Sequence, residues 1–523
     1  MWDSDGKLDS EHILIDFKGG SRNTWRMKNA FEGVQIFGGI GSGKTSGSGK
    51  KIAKAFLKNG FGGLVHCAKR EEVLTWKMYA KETGRENDLL IFEEGRELFF
   101  NPLQYEFERE GKGGGEIFNL SNLFMEIYKM GNRFSGGGGG EKDRYWDNAL
   151  RRCMNRVFLL LKEAGKVQKE GRGLTISNMI DIMSTAPGED FSSVANLPLD
   201  DDEWDAWYSS SFCVECVFDV VVNAMSQRAD LEELEELTYR SLDQETRLGE
   251  LQQTLPEIEQ NSKVLRNYFF KEFASADEKT RSVVRESFLG LAEPFTMGIL
   301  KKYFAGETTL KPEQSWIDGK IIILNFSVKE YLDSGMYAQG IFKLMWQQAI
   351  ERRKTEVHPL PCFLWVDESQ YFVNEYDTIF QTTARSSRAA TVFITQNISN
   401  YYAQMGGAAS KSKVDSLLAN LSTLIFHANN DAVTNQWASD TIGKTMRRFE
   451  TRSENKQKHA MMGGSEGNSE SYQYLPQVYP RQFITLLTGG NGNDLKVQGI
   501  VQMKGHIWEN GKSYIGLTFD QKH

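Results

Sequence analysis

The residues with the clearest chemistry are Gly38-Gly39-Ile40-Gly41-Ser42-Gly43-Lys44-Thr45, followed by Ser46. They fit the pattern G-x-x-x-x-G-K-[ST] of a phosphate-binding loop. In such a loop the backbone N–H groups curl toward phosphate oxygens, in conformations that a Cβ obstructs. Lys44 can reach the β- and γ-phosphates, and the Thr45 hydroxyl can hold Mg²⁺. Gly38 to Ser46 are therefore the candidate cradle for a nucleoside triphosphate. A second signal is Asp367-Glu368, which closes the apolar run Cys362 to Val366. Asp367 can complete the Mg²⁺ shell, and Glu368 can orient and deprotonate an attacking water. The acidic neighbour Glu368 favours ATP hydrolysis that drives motion over a kinase or a GTPase switch. Gln396 ends the next apolar run, where a polar side chain can sense the γ-phosphate. No arginine follows the loop closely enough to neutralise the transition state from within. Arg385 and Arg388 are candidates to do so from a neighbouring subunit; a surface salt bridge is the competing reading for either.

Positioning these groups requires strands that end at one edge and helices that start there. Val34 to Phe37 is a strand before the loop. A helix carrying the apolar residues of Ile52 to Leu57 follows and turns its positive end to the phosphates. Further strands are predicted at His12 to Phe17, Gly62 to Cys67, Leu89 to Phe92, Lys320 to Phe326, Cys362 to Val366, Ala390 to Gln396 and Leu421 to His427. Helices are predicted between them, at Glu71 to Lys81 and Met336 to Arg353. This alternation predicts an α/β fold of the RecA-like phosphate-loop type, with a mostly parallel sheet covered on both faces.

Phe99-Phe100-Asn101-Pro102-Leu103 breaks that alternation. From there to about residue 290 only helical periodicity is found, at Ile117 to Met130, Asp143 to Ala164, Leu174 to Met183, Ser262 to Phe273 and Glu278 to Leu291. Leu231, Leu234, Leu237, Leu248, Leu251 and Leu255 predict a packed helical hairpin. Gly113 to Gly115 and Gly136 to Gly140 read as flexible links, and Pro198 to Asp205 as an acidic loop. The expected organisation is a nucleotide-binding domain over 1–103 and 291–523, interrupted by an all-helical domain over 104–290. The tail is expected to begin with a mobile polar segment, Thr451 to Ser471. It should end in strands at Leu495 to Met503 and Ser513 to Phe519.

Composition limits the alternatives. A chain of 523 residues with 40% hydrophobic and 25% charged residues is ordinary for a globular protein of two or three domains. No apolar run has the length of a membrane helix, and the polar first thirty residues show no signal peptide. A cytoplasmic location is expected, at the membrane's inner face only through partners. Five cysteines make no disulfide framework, and Cys213 and Cys216 lack a second pair to complete a zinc site. The net charge of −8 argues against an extended DNA-coated surface, but not against a small basic patch inside a ring.

The order of these motifs resembles a known family. The series is the phosphate loop, Phe-Asn-Pro-Leu at 100–103, Tyr145-Trp146-Asp147-Asn148-Ala149 opening a long helix, and Gly319-Lys320-Ile321. It continues with Val366-Asp367-Glu368-Ser369-Gln370, Thr395-Gln396, and Asn429-Asn430-Asp431 leading into Ile442-Gly443-Lys444. From about Val34 to Phe519 the chain is similar to the type IV coupling proteins of bacterial conjugation and secretion, in the FtsK/HerA branch of RecA-like motors. That resemblance implies a homohexameric ring that hydrolyses ATP with Mg²⁺ and moves DNA, or a protein–DNA adduct, to a secretion channel. It implies a relaxase or other secreted protein, and type IV secretion components, as partners. Lys44, Thr45, Asp367, Glu368 and Gln396 carry over as phosphate, metal, water-activating and sensor residues. Arg385 matches the trans-acting arginine better than Arg388.

The chain departs from the family in three places. The membrane helices usual before the phosphate loop are absent from this sequence. The pattern Asp-Pro-Lys-Gly-Glu is here Cys67-Ala68-Lys69-Arg70-Glu71, which removes the acidic first position. An acidic stretch around 198–260 lengthens the helical part, either as a docking surface or as a solvated hairpin. Two other readings stand beside conjugative transfer. One is a cytoplasmic HerA-like translocase for repair or defence, or a motor that moves protein alone. The other is a recruitment platform whose nucleotide site sets only assembly.

Overall fold

The computed structural model describes residues 1–2, 7–134, 141–167, 173–188, 211–406, 409–454 and 466–522. The chain forms two compact units. One comprises Met1–Phe92, Pro312–Lys329 and Trp346–His523, and the other Glu93–Lys311 and Glu330–Met345. Gly136 to Gly140, the acidic Pro198 to Asp205 and the centre of the 451–471 segment lie outside the described residues.

The first unit is built on a nine-stranded sheet. In chain order its strands are β3 (Val34–Phe37), β4 (Gly62–His66), β5 (Leu89–Phe92), β6 (Ile321–Leu324), β7 (Cys362–Val366), β8 (Ala389–Thr395), β9 (Thr423–Phe426), β12 (Lys496–Met503) and β13 (Tyr514–Asp520). Their spatial order is β13-β12-β9-β3-β8-β7-β4-β6-β5. The run from β9 to β5 is parallel, and β12 and β13 add antiparallel strands at one edge. The central strands β3, β4, β6, β7, β8 and β9 are buried along their whole length, as apolar parallel strands covered on both faces should be. Helices Lys50–Lys58 and Glu72–Thr83 cover one face. Phe56 and Trp76 stack on Phe363 of β7, with ring centroids 5.3 and 5.6 Å away.

A short pair, β1 (Ile13–Asp16) with β2 (Thr24–Arg26), precedes the sheet. A hairpin, β10 (Lys444–Glu454) with β11 (Glu466–Pro476), follows β9. That hairpin corrects the sequence expectation of a mobile segment for Thr451 to Glu454 and Glu466 to Ser471, which are paired strand. Its arms pair residue for residue from Lys444↔Pro476 to Glu454↔Glu466. The polar composition reflects arms whose described side chains are nearly all exposed, so no hydrophobic alternation marked them as strands.

The second unit is helical among its described residues. Asn101 explains why the strand pattern stops at Phe-Asn-Pro-Leu. Its Oδ1 accepts from the N–H groups of Leu103 (3.0 Å) and Gln104 (3.2 Å), with Pro102 in the first turn of helix Pro102–Glu108. An asparagine cap followed by proline is a helix start. Gly113 to Gly115 is a hydrogen-bonded turn rather than a free link. Arg109 Nη2 donates to Gly113 O at 2.8 Å, and Gly115 N donates to Glu106 O at 3.1 Å. Helices Phe212–Glu236 and Leu242–Asn267 form the expected hairpin, sealed by Leu231, Leu251 and Leu255. All five cysteines are buried and none is in a disulfide, and no three-residue metal cluster occurs among the described residues. No described helix is long and apolar enough to cross a membrane.

Candidate active site

In a parallel sheet, functional groups collect where strands end at their carboxyl edge and helices begin. β3 delivers the phosphate loop to that edge, β7 delivers Asp367 and Glu368, and β8, lying between them, delivers Gln396. The loop's Gly43 has φ +76°, and a Cβ there would lie 2.4 Å from Val497 Cγ2, so only glycine fits. Lys44 leads into a wide, π-type helical turn, Thr45–Gly49, which continues as the α-helix Lys50–Lys58. Ser42 Oγ is buried and has no hydrogen-bond partner among the described residues. An orphaned hydroxyl inside a glycine-shaped cradle fits an anion acceptor.

Thr45 Oγ1 donates to Asp367 Oδ2 at 2.8 Å. A hydroxyl and a carboxylate converging at the strand edge are the oxygen donors a Mg²⁺ bound to a nucleotide uses. Burial pushes the Asp367 carboxyl above its ordinary range, against the pull of the Lys44 ammonium. Glu368 has a left-handed backbone, φ +44°, a strained placement for a glutamate. Its side chain is fixed from three sides. Lys69 Nζ lies 3.1 Å from Oε1, Gln370 Nε2 donates to Oε2 at 3.0 Å, and Gln396 Nε2 approaches Oε2 at 3.4 Å. Burial raises the Glu368 carboxyl, but the Gln370 bond, the Lys44 charge and Lys69 together outweigh it and hold the group below its usual value. Glu368 is therefore held as a carboxylate. Lys44, Lys69, Glu368, Gln396 and Gly41 line one cavity of about 330 Å³.

The structure thus brings together Lys44, Thr45, Asp367, Glu368 and Gln396. Arg385 stands apart from them. It precedes β8, and its guanidinium lies 3.7 Å from Glu32, which precedes β3, so both mark the amino-terminal ends of those strands. The seven residues of β8 separate that end from Gln396, about 23 Å at roughly 3.3 Å per residue. The Arg385 side chain is 70% exposed. Arg388 is committed elsewhere: Nη1 donates to the carbonyls of Thr355 (3.2 Å) and Pro359 (3.3 Å).

Two residues at the site were not assigned a role from the sequence. Lys69 sits at the altered Cys67-Ala68-Lys69-Arg70-Glu71 stretch. There Cys67 replaces an acidic residue, yet Glu72 supplies a carboxylate nearby that accepts from Ala68 N at 3.0 Å. Gln370 belongs to the Val-Asp-Glu-Ser-Gln motif, and its Oε1 also accepts from Thr395 Oγ1 at 2.7 Å, locking β7 to β8.

These features define the class. It is a RecA-like phosphate-loop fold, with the loop strand and the Asp-Glu strand separated by one sensor strand. Residues 361–486 match the family described as the TraM recognition site of TraD and TraG. Solved structures of the bacterial conjugative coupling protein TrwB share the fold. The unbound form is 11% identical, with a TM-score of 0.53 over 97% of this chain and 89% of that one. The complex with ADP and Mg²⁺ is 11% identical, with a TM-score of 0.53 over 97% and 90%. The complex with the non-hydrolysable ATP analogue ADPNP is 11% identical, with a TM-score of 0.51 over 99% and 91%. No curated protein matches the sequence. The match over residues 361–486 and the fold shared with TrwB agree with the resemblance read from the motif order.

Proposed function

We propose that the chain is an ATP-hydrolysing motor of the coupling-protein kind. In this reading it works as a homohexameric ring that recruits DNA or a protein–DNA substrate and moves it toward a secretion or conjugation channel. The observation that carries the reading is the Asp367–Glu368 pair. One carboxylate is hydrogen-bonded to Thr45, and the other is held ionised in the cavity that Lys44 lines. Binding a nucleotide needs no second carboxylate; activating a water does.

Lys44 would hold the β- and γ-phosphates, and Thr45 and Asp367 would hold Mg²⁺, which neutralises charge developing on the phosphates. Glu368 would orient the attacking water and take its proton, and Gln396, beside it, would report the γ-phosphate. The distance of Arg385 from this centre argues against a role on its own subunit's nucleotide, and its exposure beside Glu32 supports one in trans. The family description of the 361–486 segment supports a relaxosome-type protein as partner.

Glu368→Gln is the direct test. It should keep ATP affinity within about twofold and lower turnover by at least 10²-fold, the usual worth of a general base. Turnover near the parent's would remove Glu368 from this role.

A further inference from the structure

A second cleft opens on the other side of the phosphate loop. Its volume is about 450 Å³, and it is bounded by Gly43 and Ser46 of the loop, by Thr488, Gly489 and Gly490 ahead of β12, and by Gln521 just after β13. Such a volume is ordinary for a small-molecule site. Gly41 borders both this cleft and the cavity of Lys44 and Glu368, so the crest of the loop divides them.

The cleft is held by an unusual set of contacts. Gln521 Oε1 accepts from Gly490 N at 2.8 Å, and its Nε2 donates to Ser46 Oγ at 2.6 Å. Gln521 N donates to Leu495 O at 2.8 Å, and Leu495 N to Gly490 O at 2.9 Å. Asp494 and Leu495 are consecutive non-glycine residues with positive φ, 53° and 59°. Such placements are strained and persist only where neighbours enforce them. Gly489 has φ +84°, and a Cβ there would meet Gln521 Oε1 at 2.3 Å. Lys50, on the helix after the loop, ties the same segment down through the carbonyls of Gln521 (3.3 Å) and Lys522 (2.9 Å). The terminal segment is therefore tied to the phosphate loop and its helix, across the whole length of the chain.

We propose that this cleft takes the ribose and base of the nucleotide and that Gln521 is its specificity-determining residue. The inference rests on the phosphate-loop reading above. With the γ-phosphate beside Glu368 and Gln396, the α-phosphate and the nucleoside attached to it must leave by the opposite side of the loop, where Ser46 stands. Ser46 Oγ, which accepts from Gln521 in this structure, then turns its proton to the α-phosphate. The freed Gln521 amide, both donor and acceptor, faces the sugar and base edge with the Thr488 hydroxyl.

Titration calorimetry with two ligands tests this, using the full chain, ADPNP and inorganic tripolyphosphate, each with Mg²⁺. Gln521→Ala should weaken ADPNP about five- to tenfold, the worth of one or two net hydrogen bonds. It should leave tripolyphosphate within twofold, which also shows that the variant folds. Thr488→Val should weaken ADPNP by a smaller factor and spare tripolyphosphate. Equal losses for both ligands, or none for ADPNP, would overturn the proposal. Lys44→Ala separates the two readings, because it should weaken both ligands. If it weakens neither, the phosphate-loop reading itself fails, and the nucleoside cleft fails with it.

Discussion

His427 predicts an acid sensitivity that can be worked out from its contacts. The ring is fully buried after β9. Its Nδ1 lies 2.8 Å from Gln498 O, and its Nε2 lies 2.7 Å from Ser48 Oγ. A carbonyl only accepts, so Nδ1 carries the proton and Nε2 accepts from the Ser48 hydroxyl. The neutral ring satisfies both partners. Burial lowers its pKa to about 4 from 6.5; the Gln498 carbonyl opposes this, and Lys44 adds to it. In the unfolded chain the ring protonates near 6.5, so unfolding takes up a proton between these values. The neutral contact therefore stabilises the fold fully above pH 6.5, and that stability is lost as the pH falls through 4. The gap, 6.5 − 4 = 2.5, corresponds to about 3 kcal/mol at about 1.4 kcal/mol per unit. Urea unfolding of the full chain and of His427→Gln, at pH 7 and pH 4, measures it. Glutamine keeps a donor and an acceptor but cannot titrate. The parent should lose about 3 kcal/mol more than the variant over that interval. Equal acid losses would refute a buried neutral histidine behind the phosphate loop.

Other consequences are checked separately. Arg385→Ala should abolish turnover alone and regain part of it in mixed assemblies with Lys44→Ala, since each subunit supplies what the other lacks; no recovery at any ratio would count against a trans role. Leu251→Ala, at the seal of the helical hairpin, should cost about 2–5 kcal/mol in that unit while leaving nucleotide affinity unchanged, as read by hydrogen exchange and calorimetry. Asn101→Ala should cost about 1 kcal/mol by uncapping helix Pro102–Glu108, seen as a lower unfolding midpoint.

The parts of the site that were legible in the sequence are those that one strand and its following turn encode. Val34 to Thr45 and Cys362 to Glu368 each carry an apolar run, a turn and the chemical group within a dozen residues. The helical hairpin was legible for the same reason, since leucines at helical spacing declare a face. What was not legible depends on contacts between distant elements. Lys69 meets Glu368 across 299 residues, and Gln521 meets Ser46 across 475. Neither spacing leaves a local pattern. Arg388 stood as a second candidate beside Arg385, and its bonds to the backbone carbonyls of Thr355 and Pro359 mark it as a structural arginine. The β10–β11 hairpin was misread because its exposed arms lack the alternation that a half-buried strand shows.

Steady-state ATP turnover of the full chain tests the motor most directly. It should be measured with and without single- and double-stranded DNA, at low and moderate salt, with Lys44→Ala as the blank. The account predicts turnover above the blank that DNA stimulates and that rising salt suppresses, because phosphate contacts release counterions. Turnover no greater than that of Lys44→Ala under every condition would contradict it and leave a nucleotide-gated platform in its place.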